Sequence, residues 1–245
     1  MTRHAPYRAF FACSLALSAA ASCVTEPPAP EIRIGLLALL SGIPEETSGR
    51  PSVEGAELAV LLANEAGGIR IGGVPHRVKL IVKAYDDRPD SAISVARALV
   101  NQSRIDVLVG PQFSRHAIPV AIVAEEAEIP MVSPMSSSPA TTAGRRFVFR
   151  LAALDEVQGR AMGEFAAGDL GARRAAVLYD ISTDYSRSLA EAFRGAFEER
   201  AGSIVAFESF ARDEPLDYRA RLDRIAAADP DVLYLPNDGE RVEVQ

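Results

Sequence analysis

From residue 32 onward, continuous apolar runs alternate with apolar positions at helical spacing. The continuous runs indicate strands that are covered on both faces. We expect these strands at 32–40, 78–85, 105–110, 129–133, 147–151, 175–179, 204–210 and 232–235. Helical spacing predicts helices around 53–63, 90–101, 115–127, 157–165, 189–197 and 216–228. Strands that alternate with helices imply parallel sheets with right-handed crossovers, so the fold class is α/β.

The alternation restarts near residues 150–155, which predicts two lobes. The first is an N-terminal α/β lobe over 32–150, and the second is a partial α/β lobe over 151–245. The second series offers three strands at most, too few for a well-closed lobe. We therefore expect a chain that is shortened at its C-terminus.

The N-terminal segment differs from the rest of the chain. Residues 1–22 combine two arginines with a short apolar stretch, which is typical of a secretory signal and too short to span a bilayer. The segment Ala20–Cys23 resembles a bacterial lipoprotein processing site, in which Cys23 becomes the lipidated first residue. The alternative is ordinary cleavage near Ser22 that leaves a free thiol. Residues 23–31 contain three prolines and predict a short, stiff tether.

Charge and composition exclude several function classes. The net charge of −7 and the lack of a strongly basic face argue against nucleic acid as a partner. The chain has no tryptophan, so a sugar site built on tryptophan stacking is excluded. Its cysteines are Cys13, inside the signal, and Cys23, so the processed chain has neither an internal disulfide nor a cysteine-based metal site.

Motifs for catalysis are weak in this sequence. It contains no G-x-S-x-G, P-loop or G-x-G-x-x-G segment. His76 and His116 are expected to be surface or helix-start histidines. Asp86 and Asp87 follow a strand and could suggest a magnesium site, but we favour acids that cap a turn ahead of Pro89. No nucleophile and base can be assembled, so we expect a protein that is not an enzyme and uses no cofactor or metal.

Two polar, neutral segments follow neighbouring strands. The segment 110–114 links a buried strand to a helix that opens at Ser114, and 133–139 follows the next strand. Ligands of open α/β sheets bind at the carboxyl ends of strands, and a helix start favours a carboxylate. Ser136 and Ser137 add hydroxyls and N–H groups, and the carbonyl of Met135 could accept from an ammonium. The alternative is that Ser114 is only a helix cap and the serine run only a loop.

Several short motifs, in this order and spacing, resemble one known family. They are Ile34-Gly35, Leu39-Leu40-Ser41-Gly42, Gly55-Ala56-Glu57-Leu58-Ala59, Asn64-Glu65-Ala66-Gly67-Gly68, Tyr85-Asp86-Asp87, Gly110-Pro111 with Ser114, Ile129 to Pro134, Phe149-Arg150, and Leu178-Tyr179-Asp180 with Tyr185. Over about 32–237 the sequence resembles the Leu/Ile/Val-binding class of type I periplasmic substrate-binding proteins, which serve ABC transporters.

The resemblance implies a two-lobed periplasmic-binding-protein type I fold that closes on its ligand by a hinge. It implies that Ser114 binds a ligand carboxylate through its hydroxyl and N–H. Ser137 stands where the family has a threonine that contacts carboxylate and ammonium, and Met135 stands where a backbone carbonyl accepts from the ammonium. Tyr185 matches a tyrosine that reaches the ligand from the second lobe, and Phe113 is expected to line the pocket.

The sequence departs from the family pattern at three places. Ser48 falls where an aromatic side chain often covers the ligand, and Asp238 falls where a second-lobe tyrosine is common. The family's acidic partner of the ligand ammonium would lie beyond Gln245. Arg115 could recruit a second acidic group of the ligand, but we favour a solvated arginine at a helix start.

These observations predict an extracytoplasmic solute-binding lipoprotein of an ABC importer, held at the membrane by its lipid anchor. Its ligand would be an amino acid of the branched-chain type or a similar small carboxylate, and its protein partner an ABC permease. The alternative is an envelope lipoprotein of the same fold that binds a protein and regulates cell-wall synthesis.

Overall fold

The computed structural model describes Met1 and residues 30–42, 45–212, 214–215 and 217–238. The predicted lipidation site Cys23 and nearly all of the predicted signal and tether lie outside the described residues. Within the described part of the chain, no helix has both the length and the apolar character needed to cross a bilayer.

The first half of the chain forms a six-stranded sheet in the order β2-β3-β1-β4-β5-β6. Its strands are β1 (Glu31–Leu39), β2 (Ile69–Ile71), β3 (Val74–Tyr85), β4 (Val107–Val109), β5 (Met131–Ser133) and β6 (Val148–Arg150). The helices between them are α1 (Arg50–Glu65), α2 (Pro89–Ser103) and α3 (Ser114–Glu126). All neighbouring strands pair in parallel except β2 and β3.

The second half forms a three-stranded parallel sheet in the order β8-β7-β9. Its strands are β7 (Arg174–Asp180), β8 (Ser203–Phe210) and β9 (Val232–Tyr234), and its helices are α4 (Asp155–Gly168), α5 (Asp184–Glu199) and α6 (Arg219–Ala227). The α/β fold class predicted from the sequence is therefore confirmed. The division into domains near 150–155 stays a prediction, although β6 ends at Arg150 and α4 begins at Asp155.

The hairpin of β2 and β3 was not expected from the sequence. Ile69 pairs antiparallel with His76, and Gly72 and Gly73, both at positive φ, form the turn. The three residues of β2 are all exposed, so no alternation of buried and exposed positions could reveal this strand. The Gly72-Gly73 pair between two apolar segments is the signal that indicates such a turn.

The cores explain why the helices lie where they do. Leu37, Leu39, Leu108 and Met131 are fully buried in the first sheet, in contact with apolar positions of α2 and α3. In the second half, α4 and α5 pack so closely that a Cβ at Gly163 would lie only 2.6 Å from the carbonyl oxygen of Phe193. The glycine at this position therefore permits the close approach of the two helices. Close packing of this kind holds the strands in place, and with them the loops that follow the strands.

Candidate functional site

A cavity of about 640 Å³ lies where segments that follow strands of both sheets meet. The lining residues follow β4, β5 and β6 of the six-stranded sheet and β7 and β9 of the other. Five of the six ligand-binding residues predicted from the sequence are among them: Phe113, Ser114, Met135, Ser137 and Tyr185. The carboxyl ends of parallel strands are the usual position of ligand sites in such sheets.

Ser114 is the first residue of α3 and is almost completely buried beside the cavity. Its Oγ lies 2.9 Å from the Oγ of Ser136, and the N–H of Ser138 donates to it at 3.4 Å. The start of α3 brings the positive end of the helix dipole to the same place. The position therefore offers a fixed hydroxyl and helix-start N–H groups to an anion.

Ser136 differs from the expectation, because it is absent from the lining of the cavity. Its hydroxyl is buried behind Ser114, with the Oγ1 of Thr141 at 2.6 Å. Its N–H donates to the Oγ of Ser133, whose hydroxyl donates to the carbonyl of Pro111 at 2.6 Å. Ser136 therefore braces the two loops against each other instead of facing the cavity.

Ser137 lines the cavity, and hydrogen bonds to its own backbone carbonyl hold it in place. Its carbonyl accepts from the Nη1 of Arg150 at 3.0 Å and from the N–H of Asp155 at 3.1 Å. Met135 also lines the cavity, and its sulfur accepts from the Oγ of Ser48 at 3.8 Å. Ser48, at the position where the resemblance implied an aromatic side chain in the family, is itself buried and is not a lining residue.

Tyr185 comes from the first turn of α5, in the second half of the chain. The hydroxyl of Thr183 caps this helix by accepting from the N–H of Ser186 at 3.2 Å. Burial, together with the negative charges of Asp238 and Asp155, raises the pKa of the Tyr185 hydroxyl. Tyr185 therefore stays a neutral hydrogen-bonding group, and it lines the cavity from the second half of the chain.

Two buried polar side chains near the cavity have no hydrogen bond of standard geometry within the described part of the chain. Gln112, which lines the cavity, is 1% exposed, and neither its Oε1 nor its Nε2 has a partner. Asp155 is 0% exposed, and both carboxyl oxygens lack a partner. Burial raises the pKa of Asp155 to about 6, and the nearby Ser137 hydroxyl and Arg150 offset only part of the effect.

Asn237, another lining residue, has the opposite environment. Its Nδ2 donates to the carbonyl of Leu178 at 2.9 Å, and its Oδ1 accepts from the N–H of Asp180 at 3.0 Å and the hydroxyl of Ser186 at 2.9 Å. Its amide therefore joins the end of β7 to the start of α5 and to the segment after β9.

An ion cluster adjoins the cavity and corrects the expectation for Arg115. The side chain of Arg115 is only 11% exposed, and it pairs with Asp87 at 2.7 Å and with Asp238 at 3.1 Å. Arg212 pairs with the same two aspartates, at 3.4 and 3.0 Å, and with Asp180 at 3.7 Å. Because the Arg115 side chain is largely buried and ion-paired, the prediction of a solvated arginine was wrong. The pairs of this cluster join residues that are far apart in the sequence.

His116 also differs from the expectation of a surface histidine, although it does lie at a helix start. It is fully buried, with Nδ1 3.3 Å from the Tyr85 hydroxyl and Nε2 3.1 Å from Asp87 Oδ1, the latter outside hydrogen-bond geometry. Burial lowers the pKa of His116, and Asp87 offsets part of this. Burial alone would raise the pKa of Asp87, but His116, Arg115 and Arg212 hold it well below its usual range.

Sequence reasoning missed Gln112, Asp155 and Asn237 as residues of this region. Gln112 stands two positions before Ser114, and Asp155 opens a helix, so their places in the chain were available as signals. The burial of these residues could not be predicted, nor could the hydrogen-bond partners of Asn237, because both depend on segments that come together only in the fold.

Comparison with known proteins identifies the family. The model of the family described as "Periplasmic binding protein" matches residues 31–242. This chain belongs to that family. An "Amino acid binding protein" of Pseudomonas aeruginosa is 34% identical over 182 residues, which cover 74% of this chain and 47% of that protein. The "Leu/Ile/Val-binding protein homolog 3" of Brucella melitensis is 30% identical over 207 residues, covering 83% of this chain and 54% of that protein.

Solved structures give the same family and fold. The branched-chain amino acid transporter substrate binding protein LivJ of Streptococcus pneumoniae, in complex with isoleucine, matches with a TM-score of 0.74 and 29% identity. The match covers 84% of this chain and 56% of that one. The chain therefore spans about half the length of the relatives that it matches.

Proposed function

We propose that this chain is the ligand-binding part of an extracytoplasmic solute-binding protein of an ABC importer. The ligand is an amino acid or a similar small carboxylate, held in a cleft between two lobes that close on it. The observation that carries the proposal is the common cavity of Ser114, Ser137 and Tyr185, which come from three separate segments. Relatives whose names state that they bind amino acids support it.

The site suits binding and not a reaction. The cavity presents hydroxyls, amides and a helix start, which match a carboxylate and an ammonium group. No described lining residue forms a nucleophile and base pair, since the buried His116 contacts Tyr85 and Asp87 and does not line the cavity. We therefore assign Ser114 and Ser137 to the carboxylate, the Met135 carbonyl to the ammonium, and Tyr185 and Phe113 to the ligand's far side.

The remaining parts of the proposal concern the location of the protein in the cell envelope. Lipidation at Cys23 would hold the domain at the membrane, on its extracytoplasmic face, beside an ABC permease that takes the ligand. Metabolic labelling with a radioactive fatty acid tests the anchor. The parent chain is expected to incorporate label and the Cys23→Ala variant is not, whereas equal labelling would contradict the anchor.

Thermal unfolding in the presence of a ligand panel tests the binding function. Amino acids and small carboxylates at millimolar concentration should raise the Tm of the full chain through mass action. The Ser114→Ala, Ser137→Ala double variant should lose this rise, whereas Ser203→Ala, an exposed serine at the start of β8, should keep it. A panel without any shift, or an equal shift in the double variant, would contradict the proposal.

A further inference from the structure

The strongest unexplained feature of the cavity is the side-chain amide of Gln112. It is 1% exposed, and neither polar atom of its amide has a hydrogen-bond partner within the described residues. Burying an amide without partners is unfavourable, so a native protein rarely leaves one in this state without a reason. Gln112 also lines the cavity, two positions before the proposed carboxylate site at Ser114.

The surrounding loop does not need this amide for its own structure. Pro111 is held by the Ser133 hydroxyl, which donates to its carbonyl at 2.6 Å. Phe113 precedes α3, and its carbonyl accepts from two N–H groups of the first turn of that helix, those of His116 and Ala117. The conformation on both sides of Gln112 is thus fixed by other groups, so the loop does not depend on this amide.

The charges near the cavity narrow the ligand's chemistry. Arg115 is the lining residue that could attract an acidic ligand side chain, but its guanidinium already pairs with Asp87 and Asp238. Asp238, the lining residue that could attract a basic one, pairs with both Arg115 and Arg212. The cluster holds three carboxylates against two guanidiniums, so its excess negative charge disfavours an acidic ligand side chain. Asp238, the acid that lines the cavity, is already ion-paired with both arginines.

A primary amide has both an acceptor oxygen and an N–H₂ donor. A ligand carboxylate would leave the amide oxygen without a donor, and a ligand ammonium would leave the N–H₂ without an acceptor. An aliphatic group would leave both unpaired. A neutral group that donates and accepts, such as a carboxamide, satisfies both atoms of Gln112 at once.

We infer that Gln112 is a specificity-determining residue that hydrogen-bonds a neutral carboxamide-type group on the ligand's side chain. This inference rests on the proposed binding function and narrows its ligand class. The cavity then selects amino acids such as asparagine or glutamine over leucine and methionine, which have similar shapes but no side-chain hydrogen-bonding group.

Calorimetric titration of the full chain tests this inference with two matched pairs, L-asparagine against L-leucine and L-glutamine against L-methionine. In at least one pair, the parent should bind the amide ligand at least about tenfold more tightly, since each unpaired buried amide atom weakens binding of the apolar ligand. Gln112→Met, which keeps the side-chain length, should remove that preference, and Gln112→Leu is a second variant in case Met packs poorly. Gln102→Met, at an exposed position of α2, is the matched control and should retain the preference.

The outcomes separate this inference from the proposed function. If leucine and methionine bind the parent as tightly as the amides, or if Gln112→Met keeps the amide preference, the role of Gln112 is wrong while amino acid binding stands. If no amino acid or small carboxylate binds the parent, the proposed function fails and this inference with it.

Discussion

Asn237 and Gln112 are both primary amides buried at the same cavity, and they differ in whether the protein itself satisfies them. The side-chain amide of Asn237 bonds to Leu178, Asp180 and Ser186, whereas that of Gln112 has no partner within the described residues. Asn237 therefore connects the segments that build the second side of the cavity. Gln112 contributes nothing comparable to the fold, which separates a structural amide from the one that we propose to bind a ligand.

Replacement of Asn237 should give the largest effect. Asn237→Leu keeps the branched shape of the side chain but leaves the buried Ser186 hydroxyl and Leu178 carbonyl without this partner, while the Asp180 N–H keeps only the Ser186 hydroxyl. We expect a loss of about 4 kcal/mol in the free energy of unfolding, measured by urea denaturation. Asn101→Leu, on the exposed side of α2, is the control. A loss below about 1 kcal/mol would show that Asn237 is not the structural amide that its contacts indicate.

Asp155 is a third buried polar side chain near the cavity and, unlike the two amides, it can titrate. Because burial raises its pKa in the folded protein to about 6, the folded state holds its proton more tightly than the unfolded state does. Stability is therefore lost as the pH rises from about 4 through about 6. Asp155→Asn should remove this loss, so its stability relative to the parent should increase by about 2–3 kcal/mol between pH 4 and pH 7.

Urea denaturation across this pH range measures the difference. Glu156→Gln, an exposed neighbour on α4, is the matched control. A stability difference between Asp155→Asn and the parent that does not change with pH would contradict a buried carboxyl with a raised pKa.

Replacement of Gln112 should give the smallest effect, and one of opposite sign to that of Asn237. Gln112→Met removes a buried amide without partners and keeps its length, so the ligand-free protein should gain about 1 kcal/mol. Thermal and urea unfolding of the ligand-free chain measure this gain. Destabilisation by more than about 1 kcal/mol would mean that the fold needs this amide.

Much of the fold was readable because its signals are local. Apolar runs predicted every strand of the two sheets except β2, and helical spacing around 53–63 predicted α1, which runs from Arg50 to Glu65. The positions of Ser114 and Ser137 near one cavity followed from a general property of parallel sheets, whose strands end on the same side.

The rest depends on contacts between distant segments, which no local pattern contains. Arg212 and Asp87 are 125 positions apart, so the pairing that buries part of the ion cluster could not be inferred from either neighbourhood. Ser136 and Ser137 are adjacent and chemically identical. Only the fold decides that one braces the loops while the other lines the cavity.

A crystal structure of the full chain with the amino acid that gives the largest rise in Tm is the most direct test of the account. We expect the ligand's carboxylate within hydrogen-bond distance of Ser114 and Ser137, with its side chain directed to the amide of Gln112. A ligand bound elsewhere, or a carboxylate that contacts neither serine, would contradict the account.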